Sequence, residues 1–155
     1  MKNLICISAP SGAGKTTLCK AVRIINPELI WSVSYTTRKP RISEVDGEDY
    51  NFISMKEFEA LIDKGHLAEW ENVHGNYYGT VKSGLDDAIM KNKVVLLELD
   101  VNGTESIQKL YPENSYSIFI VPPSIESLRM RLQKRGSETE ESIEKRLKRF
   151  KKEMA

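Results

Sequence analysis

Cysteine is scarce in this sequence, with two residues among 155, and histidine is equally rare. Cys6 falls in an apolar run and Cys19 in a helical pattern, so both are expected to be small buried side chains. So few cysteines, placed in this way, argue against a disulfide framework and against a metal site. A reducing cytoplasm is therefore the expected compartment.

The chain also lacks an excess of charge of one sign and any long hydrophobic run. Its 23 basic residues nearly balance 22 acidic ones, which leaves a net charge of +1. This balance gives no electrostatic reason to expect binding to nucleic acid or to a membrane. The first apolar run, from Leu4, has only the length of a strand, so we expect neither a signal peptide nor a membrane span. The length and the 40% hydrophobic content predict one soluble globular domain.

Residues 9–16 carry the strongest local signal. They read Ala9-Pro10-Ser11-Gly12-Ala13-Gly14-Lys15-Thr16, between an apolar run that predicts a strand over Leu4–Ser8 and a helical pattern that lasts to Asn26. A strand, a loop of small residues and Gly-Lys-Thr at the start of a helix form the context of a phosphate-binding loop. The glycines let backbone N–H groups point at a phosphate, and the helix N-terminus adds its positive dipole end. Lys15 can reach the outer phosphates, and the Thr16 hydroxyl can hold Mg²⁺.

Apolar runs and helical patterns alternate along the rest of the chain, which favours a parallel sheet covered by helices on both faces. Residues 34–82 differ, because short alternating strands there predict a small antiparallel insertion. Strands are predicted over residues 4–8, 31–38, 49–53, 67–73, 77–80, 94–100 and 117–121. Helices are predicted from the phosphate-binding loop to residue 26 and over residues 55–64, 83–91, 103–109, 124–135 and 140–154, with N-caps at Ser54, Ser83 and Ser124.

A block at the start of the insertion makes the sequence recognisable. It reads Ser34-Tyr35-Thr36-Thr37-Arg38-Lys39-Pro40-Arg41 and ends in Asp49-Tyr50-Asn51-Phe52. Together with the phosphate-binding loop, this block strongly resembles the guanylate kinases, which phosphorylate GMP. The resemblance extends along essentially the whole chain, through Glu69, Tyr78-Gly79-Thr80, residues 99–103 and residues 135–140.

The resemblance implies an α/β fold of the P-loop kinase type. The parallel core sheet with its flanking helices would comprise residues 1–33 and 83–123. A small mixed or antiparallel β insertion, which binds GMP, would comprise residues 34–82. The helical lid and the helix that follows it would comprise residues 124–155. Members of the family normally continue with one more core strand and a final helix, whereas this chain ends at Ala155. The strand over residues 117–121 is therefore expected to be an exposed apolar edge, and the lid to be mobile.

The resemblance also implies roles for individual residues. Those implied to bind GMP are Ser34, Arg38, Arg41, Tyr50, Glu69, Tyr78, Thr80 and Asp100. Those implied to bind the phosphates of ATP, the phosphoryl donor, are Ser11, Gly12, Ala13, Gly14, Lys15, Thr16 and Thr17. Catalytic roles are implied for Lys15, Arg38, Asp100, Arg131, Arg135 and Arg146, of which the last three belong to the lid. Thr16 would hold Mg²⁺, with Asp100 acting through water.

The chemistry of these residue types agrees with the roles. Guanine presents N1–H and the N2 amine on one edge, and the Glu69 carboxylate is a natural acceptor for both. Arginine forks and tyrosine hydroxyls suit a phosphate dianion. Asp100 follows a core strand at the point where open α/β sheets bind ligands. No nucleophile paired with a general base stands out, and His66 and His74 are expected at surface turns. None is needed, because a phosphate monoester is already anionic near neutral pH.

The leading hypothesis is an ATP:GMP phosphotransferase of purine nucleotide metabolism, with ATP and GMP as its partners and a monomeric or weakly homo-oligomeric state. A second hypothesis is a GMP-binding module with impaired or absent catalysis, because the C-terminal part of the family is missing. A third is a guanylate-kinase-like interaction domain of the kind found in scaffolding proteins. Such domains typically degrade the phosphate-binding loop, whereas Lys15 and Thr16 are intact here.

Overall fold

Eight strands and six helices alternate along the part of the chain that this computed structural model describes, residues 1–10, 12–73, 75–134, 136 and 139–154. The strands are β1 (Leu4–Ser8), β2 (Ile30–Trp31), β3 (Tyr35–Thr36), β4 (Asn51–Phe52), β5 (Leu67–Val73), β6 (Asn76–Val81), β7 (Val95–Glu98) and β8 (Ser115–Phe119). The helices are α1 (Lys15–Ile25), α2 (Met55–Asp63), α3 (Lys82–Met90), α4 (Val101–Leu110), α5 (Ile125–Lys134) and α6 (Glu140–Met154).

The core sheet has the strand order β2-β7-β1-β8, and all its strands are parallel. Strand β1 lies in the interior of the sheet, where Leu4 and Cys6 are fully buried. Such near-continuous apolar strands are typical of a parallel sheet whose two faces are both covered. The predicted α/β class with a parallel core sheet is confirmed. Because β1 is central, the phosphate-binding loop leaves the sheet at the middle of its carboxyl-terminal side.

The second sheet has the strand order β4-β3-β6-β5 and is formed entirely by residues of the predicted insertion. Strands β5 and β6 form an antiparallel hairpin, β3 pairs antiparallel with β6, and β3 pairs parallel with β4. This sheet is therefore mixed rather than purely antiparallel. Helix α2 begins after β4 with the predicted capping box, in which Ser54 Oγ accepts from Glu57 N–H and the Glu57 carboxylate accepts from Ser54 N–H.

Helices α5 and α6 pack against each other through one apolar stripe on each. The buried residues of this interface are Leu128 and Leu132 from α5 and Ile143, Leu147 and Phe150 from α6. Spacings of three and four residues place each set on one helix face, which leaves the polar face of α6 to line a cleft. None of the helices within the described ranges combines the length and apolar character that a membrane crossing requires.

Several predicted bounds are wrong. Strand β4 covers Asn51–Phe52 rather than residues 49–53, strand β7 ends at Glu98 rather than at residue 100, and helix α4 begins at Val101 rather than at residue 103. Three other predictions are wrong for a reason that the structure shows. Residues 31–38 do not form one strand, because Trp31 ends β2 in the core sheet and Tyr35 begins β3 in the second sheet. Helix α3 begins at Lys82 after Val81, so Ser83 lies inside the helix and does not cap it. Strand β8 ends at Phe119 rather than at residue 121, because its pairing with β1 ends opposite Ser8.

The prediction that both cysteines are buried side chains is confirmed. Cys6 and Cys19 are unpaired and buried. Burial raises the pKa of the Cys6 thiol to about 12 and that of Cys19 to about 11. Strand β8 lies at one edge of the core sheet as described, with Tyr116 56% and Ile118 42% exposed.

Candidate active site

A cleft of about 690 Å³ opens between the phosphate-binding loop, the second sheet and α6. Backbone and polar groups of the loop form one wall, carboxylates form part of another, and basic side chains of α6 approach from a third side. Its lining includes Gly12, Gly14, Lys15, Thr16 and Thr17 of the loop, Ser34, Tyr50, Glu69, Glu71 and Tyr78 of the insertion, Glu98 and Asp100 at the end of β7, and Lys145, Arg146 and Arg149 of α6. Charges of both signs therefore meet in one cleft.

The phosphate-binding loop turns tightly before α1. Gly12 has a φ of 89° and Gly14 a φ of 94°, a left-handed conformation that side-chain-bearing residues rarely adopt. Gly14 is also the N-cap of α1, so the N-terminal turn of the helix lies at the cleft. The backbone of this stretch has the form of an anion-binding site.

Two basic side chains connect the loop to neighbouring segments of the fold. Lys15 Nζ donates to the backbone carbonyl of Leu99 at 2.8 Å, which ties the start of α1 to the segment after β7. Arg131 Nη1 of α5 donates to the Ala13 carbonyl at 2.9 Å. Both cations therefore lie beside the backbone that would surround a phosphate.

Two carboxylates at the end of β7 have different partners. Thr16 Oγ1 donates to Glu98 Oε1 at 2.5 Å. Asp100 lies beyond the strand, which ends at Glu98, and is the N-cap of α4, where its Oδ1 accepts from Gly103 N–H at 2.8 Å. Thr16 and Glu98 thus present oxygen atoms, the donors that Mg²⁺ prefers, next to the loop.

Arg38 lies at the centre of an aromatic and acidic cluster. Its Nε donates to the Tyr78 hydroxyl at 3.2 Å, and its guanidinium lies 5.4 Å from the ring centroid of Tyr50 and 5.8 Å from that of Phe52. Its Nη1 and Nη2 donate to the two oxygens of Glu44. The hydrogen bond with Glu44 is the main reason that the pKa of Arg38 is raised, while burial raises the pKa of Tyr50. A cation and two phenolic hydroxyls suit a phosphate monoester.

Glu69 and Thr80 face each other across β5 and β6. Thr80 Oγ1 donates to Glu69 Oε1 at 2.5 Å, which orients the carboxyl group. Burial raises the pKa of Glu69 to about 6. A buried carboxylate makes fewer hydrogen bonds to water than an exposed one. It is therefore suited to accept hydrogen bonds from the N–H groups of a ligand, and the Thr80 hydroxyl orients it for them.

Glu71, Asp100 and Arg149 form an ionic cluster in the same cleft. Glu71 lies two residues after Glu69 on β5, so the two side chains share a face. A hydrogen bond with the Asp100 carboxylate raises the pKa of Glu71 to about 7. The pKa of Asp100 is lowered in spite of its burial, because hydrogen bonds from Glu71 and from Gly103 N–H favour the ionised form. Arg149 Nη2 lies 3.3 Å from Asp100 Oδ2, so α6 is linked to the N-terminus of α4.

One face of α6 supplies the basic side of the cleft. The lining residues of this helix are Ser142, Lys145, Arg146 and Arg149. Their spacing of three and four residues places them in one row, beside the apolar row that packs on α5. The helix therefore directs three cations toward the cleft that contains the phosphate-binding loop.

The family model described as guanylate kinase matches residues 1–155. The chain belongs to the guanylate kinase family. The guanylate kinase of Geobacter metallireducens is 50% identical over 144 residues, and that of Carboxydothermus hydrogenoformans is 46% identical over 144 residues; each match covers 93% of this chain and 70% of the relative. The crystal structure of the guanylate kinase from Anaplasma phagocytophilum matches 86% of this chain and 67% of its own, with a TM-score of 0.73 and 36% identity.

Most of the residues that the guanylate kinase resemblance implies lie together. Gly12, Gly14, Lys15, Thr16, Thr17, Ser34, Tyr50, Glu69, Tyr78, Asp100 and Arg146 all line the cleft. Arg38 and Thr80 contact residues of that lining, and Arg131 contacts the Ala13 backbone. Arg41 is exposed and is not part of the lining. Ser11, Arg135 and His74 lie outside the described residues.

Sequence reasoning misses Glu71, Glu98, Ser142, Lys145 and Arg149 of the cleft lining, and also Glu44, which contacts Arg38. Strand alternation from Glu69 points to Glu71, and helical spacing from Arg146 points to Arg149. Alternation along β7 likewise makes Glu98 as plausible a partner of the loop as Asp100. Glu44 has no comparable signal, because its contact with Arg38 depends on how the intervening loop folds.

Proposed function

We propose that this chain transfers the γ-phosphoryl group of ATP to GMP, giving ADP and GDP. The observation that carries the proposal is the single cleft in which Lys15 and Thr16 of the phosphate-binding loop lie together with Glu69 and Tyr78. Membership of the guanylate kinase family supports the same reaction. The loop is the donor half of the site, and the residues of the insertion form the acceptor half.

The acceptor half recognises GMP at its two ends. Glu69, oriented by Thr80, accepts from guanine N1–H and the N2 amine, and Ser34 adds a hydroxyl to the same pocket. Adenine lacks these two donors and would leave the Glu69 carboxylate unpaired, at a cost of about 1–3 kcal/mol. Arg38, Tyr50 and Tyr78 hold the phosphate, with Arg41 as a further cation nearby on the same loop.

The donor half binds the phosphates of ATP through backbone N–H groups of the loop and through Lys15. Among the described side chains, no cluster of three or more histidine, cysteine, aspartate or glutamate residues could enclose a metal ion. Mg²⁺ bound with a nucleotide takes most of its ligands from phosphate and water, so the few oxygens of Thr16, Glu98 and Asp100 fit it. When bound, Mg²⁺ supplies positive charge to the phosphates.

The chemistry needs alignment and positive charge rather than a general base. The GMP phosphate has a second pKa near ~6 and is itself the nucleophile at neutral pH. Lys15 and Arg38 hold the two phosphates in one cleft, while Arg131 and Arg146 from the last two helices, together with Arg135, add charge around the transferring group. Carboxylates in the cleft read the base and hold loop groups, and do not remove a proton from the acceptor.

A coupled assay of ADP release tests the proposal. With ATP and Mg²⁺ present, GMP should support turnover and AMP should support far less, because only guanine satisfies Glu69. Absence of ADP release with GMP at high enzyme concentration would contradict phosphotransfer. Calorimetry with GMP and with ATP separately then shows whether the acceptor half no longer binds GMP or the donor half no longer binds ATP. The cytoplasmic location and the monomeric or weakly homo-oligomeric state stay predictions.

A further inference from the structure

Glu44 holds the Arg38 guanidinium through a two-point ion pair. Arg38 Nη2 lies 2.7 Å from Glu44 Oε1, and Arg38 Nη1 lies 2.9 Å from Glu44 Oε2. Both side chains are largely shielded, with 17% and 14% of their surface exposed. A planar guanidinium bound at two points has one defined orientation, and limited exposure reduces screening by solvent. Arg38 is therefore ordered before any nucleotide binds.

The backbone of the same loop fixes Glu44 in turn. Arg41 N–H donates to Glu44 Oε2 at 2.8 Å, and Glu44 N–H donates to the Arg41 carbonyl at 3.0 Å. This turn brings the carboxylate back to Arg38, six residues earlier in the chain. The loop thus contains its own counterion and holds it in place.

The partners of Arg38 leave a limited part of the guanidinium for a ligand. Nε donates to the Tyr78 hydroxyl, Nη1 donates to both the Lys39 carbonyl and Glu44, and Nη2 donates to Glu44. A guanidinium has five N–H groups, so the second N–H of Nη2 remains. Tyr50 and Tyr78, which contact Arg38, both line the cleft. The positive charge of Arg38 therefore lies directly beside the two tyrosines that line the cleft.

We propose that Glu44 is a positioning residue of the acceptor site, which holds Arg38 beside Tyr50 and Tyr78 so that the GMP phosphate meets an ordered cation. The inference rests on the proposed function, because it takes GMP as the ligand. An arginine side chain has large rotamer freedom, and a ligand that orders it must offset the lost conformational entropy. If the side chain is already ordered, binding no longer carries this entropy cost. The hydrogen bond with Arg38 lowers the pKa of Glu44 to about 2, so the ion pair persists at every pH of a normal assay.

A carboxylate that occupied the place of the phosphate would act in the opposite sense, as a competitor of GMP. Two observations favour positioning over competition. Glu44 is not part of the cleft lining, whereas Tyr50 and Tyr78 are. Glu44 is also bonded to the Arg41 backbone, so its departure on GMP binding would break the turn that holds it. The sign of the change in GMP affinity separates the two roles.

Calorimetric titration with GMP and, separately, with guanosine tests the proposal. Guanosine has the base and ribose but lacks the phosphate, so positioning of Arg38 affects only GMP. We expect Glu44→Gln to bind GMP about tenfold more weakly and guanosine as the wild type does. Glu48→Gln is the matched control, because Glu48 is an exposed carboxylate of the same loop. It should leave both affinities unchanged.

Two further variants keep the test decisive. In an Arg38→Ala background, Glu44→Gln should cause no additional loss of GMP affinity, because Glu44 acts through Arg38. Glu44→Asp retains the charge with a shorter reach and should show a smaller selective loss of GMP binding, and it carries the test if Glu44→Gln does not fold.

Three results would overturn the role of Glu44: tighter GMP binding, unchanged GMP binding, or an equal loss for GMP and guanosine. A wild-type chain that binds no GMP would instead overturn the proposed function, and this inference with it. Binding of GMP by the wild type therefore distinguishes failure of the positioning role from failure of the function.

Discussion

The donor and acceptor halves of the cleft are built in different ways. The donor half comes from neighbouring residues of one loop, and Lys15 and Arg131 secure its backbone through carbonyl groups. The acceptor half consists of side chains from separate strands and loops, and these depend on one another: Thr80 orients Glu69, and Glu44 holds Arg38.

This difference has consequences for both halves. A site made of backbone needs glycine conformations and a helix N-terminus, which neighbouring residues supply. A site made of side chains needs each of them to be held in place by a partner that is distant in sequence or brought near by a loop. Substitutions in the donor half should therefore affect chemistry or backbone conformation, and those in the acceptor half should affect recognition.

The largest expected effect lies in the donor half. Lys15→Ala should lower kcat by about 10²–10³-fold, because Lys15 supplies positive charge to the transferring phosphoryl group. GMP affinity should not change, since the acceptor half is separate. The coupled assay measures the first quantity and calorimetry the second. Lys20→Ala removes the same charge from an exposed position on α1 and should leave both unchanged. A loss confined to GMP binding would contradict the role of Lys15.

The next effect concerns recognition in the acceptor half. Glu69→Gln should weaken GMP binding by about 10–100-fold and narrow the preference for GMP over AMP, because an amide cannot accept both guanine donors. The values of kcat/KM for the two nucleotides measure this preference. Glu59→Gln, at an exposed position of α2, serves as the control. An unchanged GMP/AMP ratio would remove Glu69 from the base pocket.

The pH dependence of base recognition should follow Glu69. Its pKa is raised to about 6, so the carboxylate form is lost as the pH falls through 6. Guanosine affinity should therefore fall by about tenfold between pH 7 and pH 5 in the wild type and stay nearly constant in Glu69→Gln. Guanosine is preferable to GMP here, because the GMP phosphate itself titrates near ~6. A parallel pH profile for the two proteins would assign the titration to another group.

The raised pKa of Glu69 also predicts the direction in which the free energy of unfolding changes with pH. Between about 4.5 and 6, the folded state binds more protons at Glu69 than the unfolded state does. The contribution of Glu69 to the free energy of unfolding should therefore decrease as the pH rises through this window. Urea unfolding of the wild type and of Glu69→Gln across this pH window measures the contribution. The free energy of unfolding of the wild type minus that of Glu69→Gln should decrease as the pH rises, and an increase would contradict the assignment.

The smallest expected effect concerns the backbone of the donor half. Gly12→Ala should lower the free energy of unfolding by about 1 kcal/mol, because alanine is strained in a left-handed conformation. The new Cβ would also lie 2.9 Å from Leu132 Cδ2. Gly84→Ala should have the opposite sign, with a gain of about 0.5–1 kcal/mol, because Gly84 lies in α3 with open space around it. Urea denaturation compares the two, and equal effects would contradict the strain argument.

Prediction from the sequence succeeds best where neighbours along the chain decide the outcome. Strand β5, helix α6 and the capping box at Ser54 lie where the sequence places them. Prediction fails where packing decides. The strand-forming stretch after Ile30 divides between two sheets, and α3 begins without its predicted serine cap. The division into core, insertion and lid at residues 34, 83 and 124 stays a prediction.

The candidate site shows the same division. The resemblance implies Glu69, Thr80, Tyr50 and Tyr78 by position, and the fold brings them to one cleft or into contact with it. The contacts that hold these residues are not readable from the sequence, because they join side chains whose distance depends on loop and helix packing. The position of Arg41 outside the cleft lining is a further result of loop conformation.

By itself, the sequence determined the phosphate-binding loop, the apolar strands of the core and the residue types that suit GMP, because these depend on local spacing and side-chain chemistry. Only the tertiary structure decided which groups meet. It placed Glu98 rather than Asp100 against Thr16, 82 residues away in the chain, and it linked Arg149 to Asp100. Such contacts form only when the strands and helices that carry them pack together, so no local pattern encodes them.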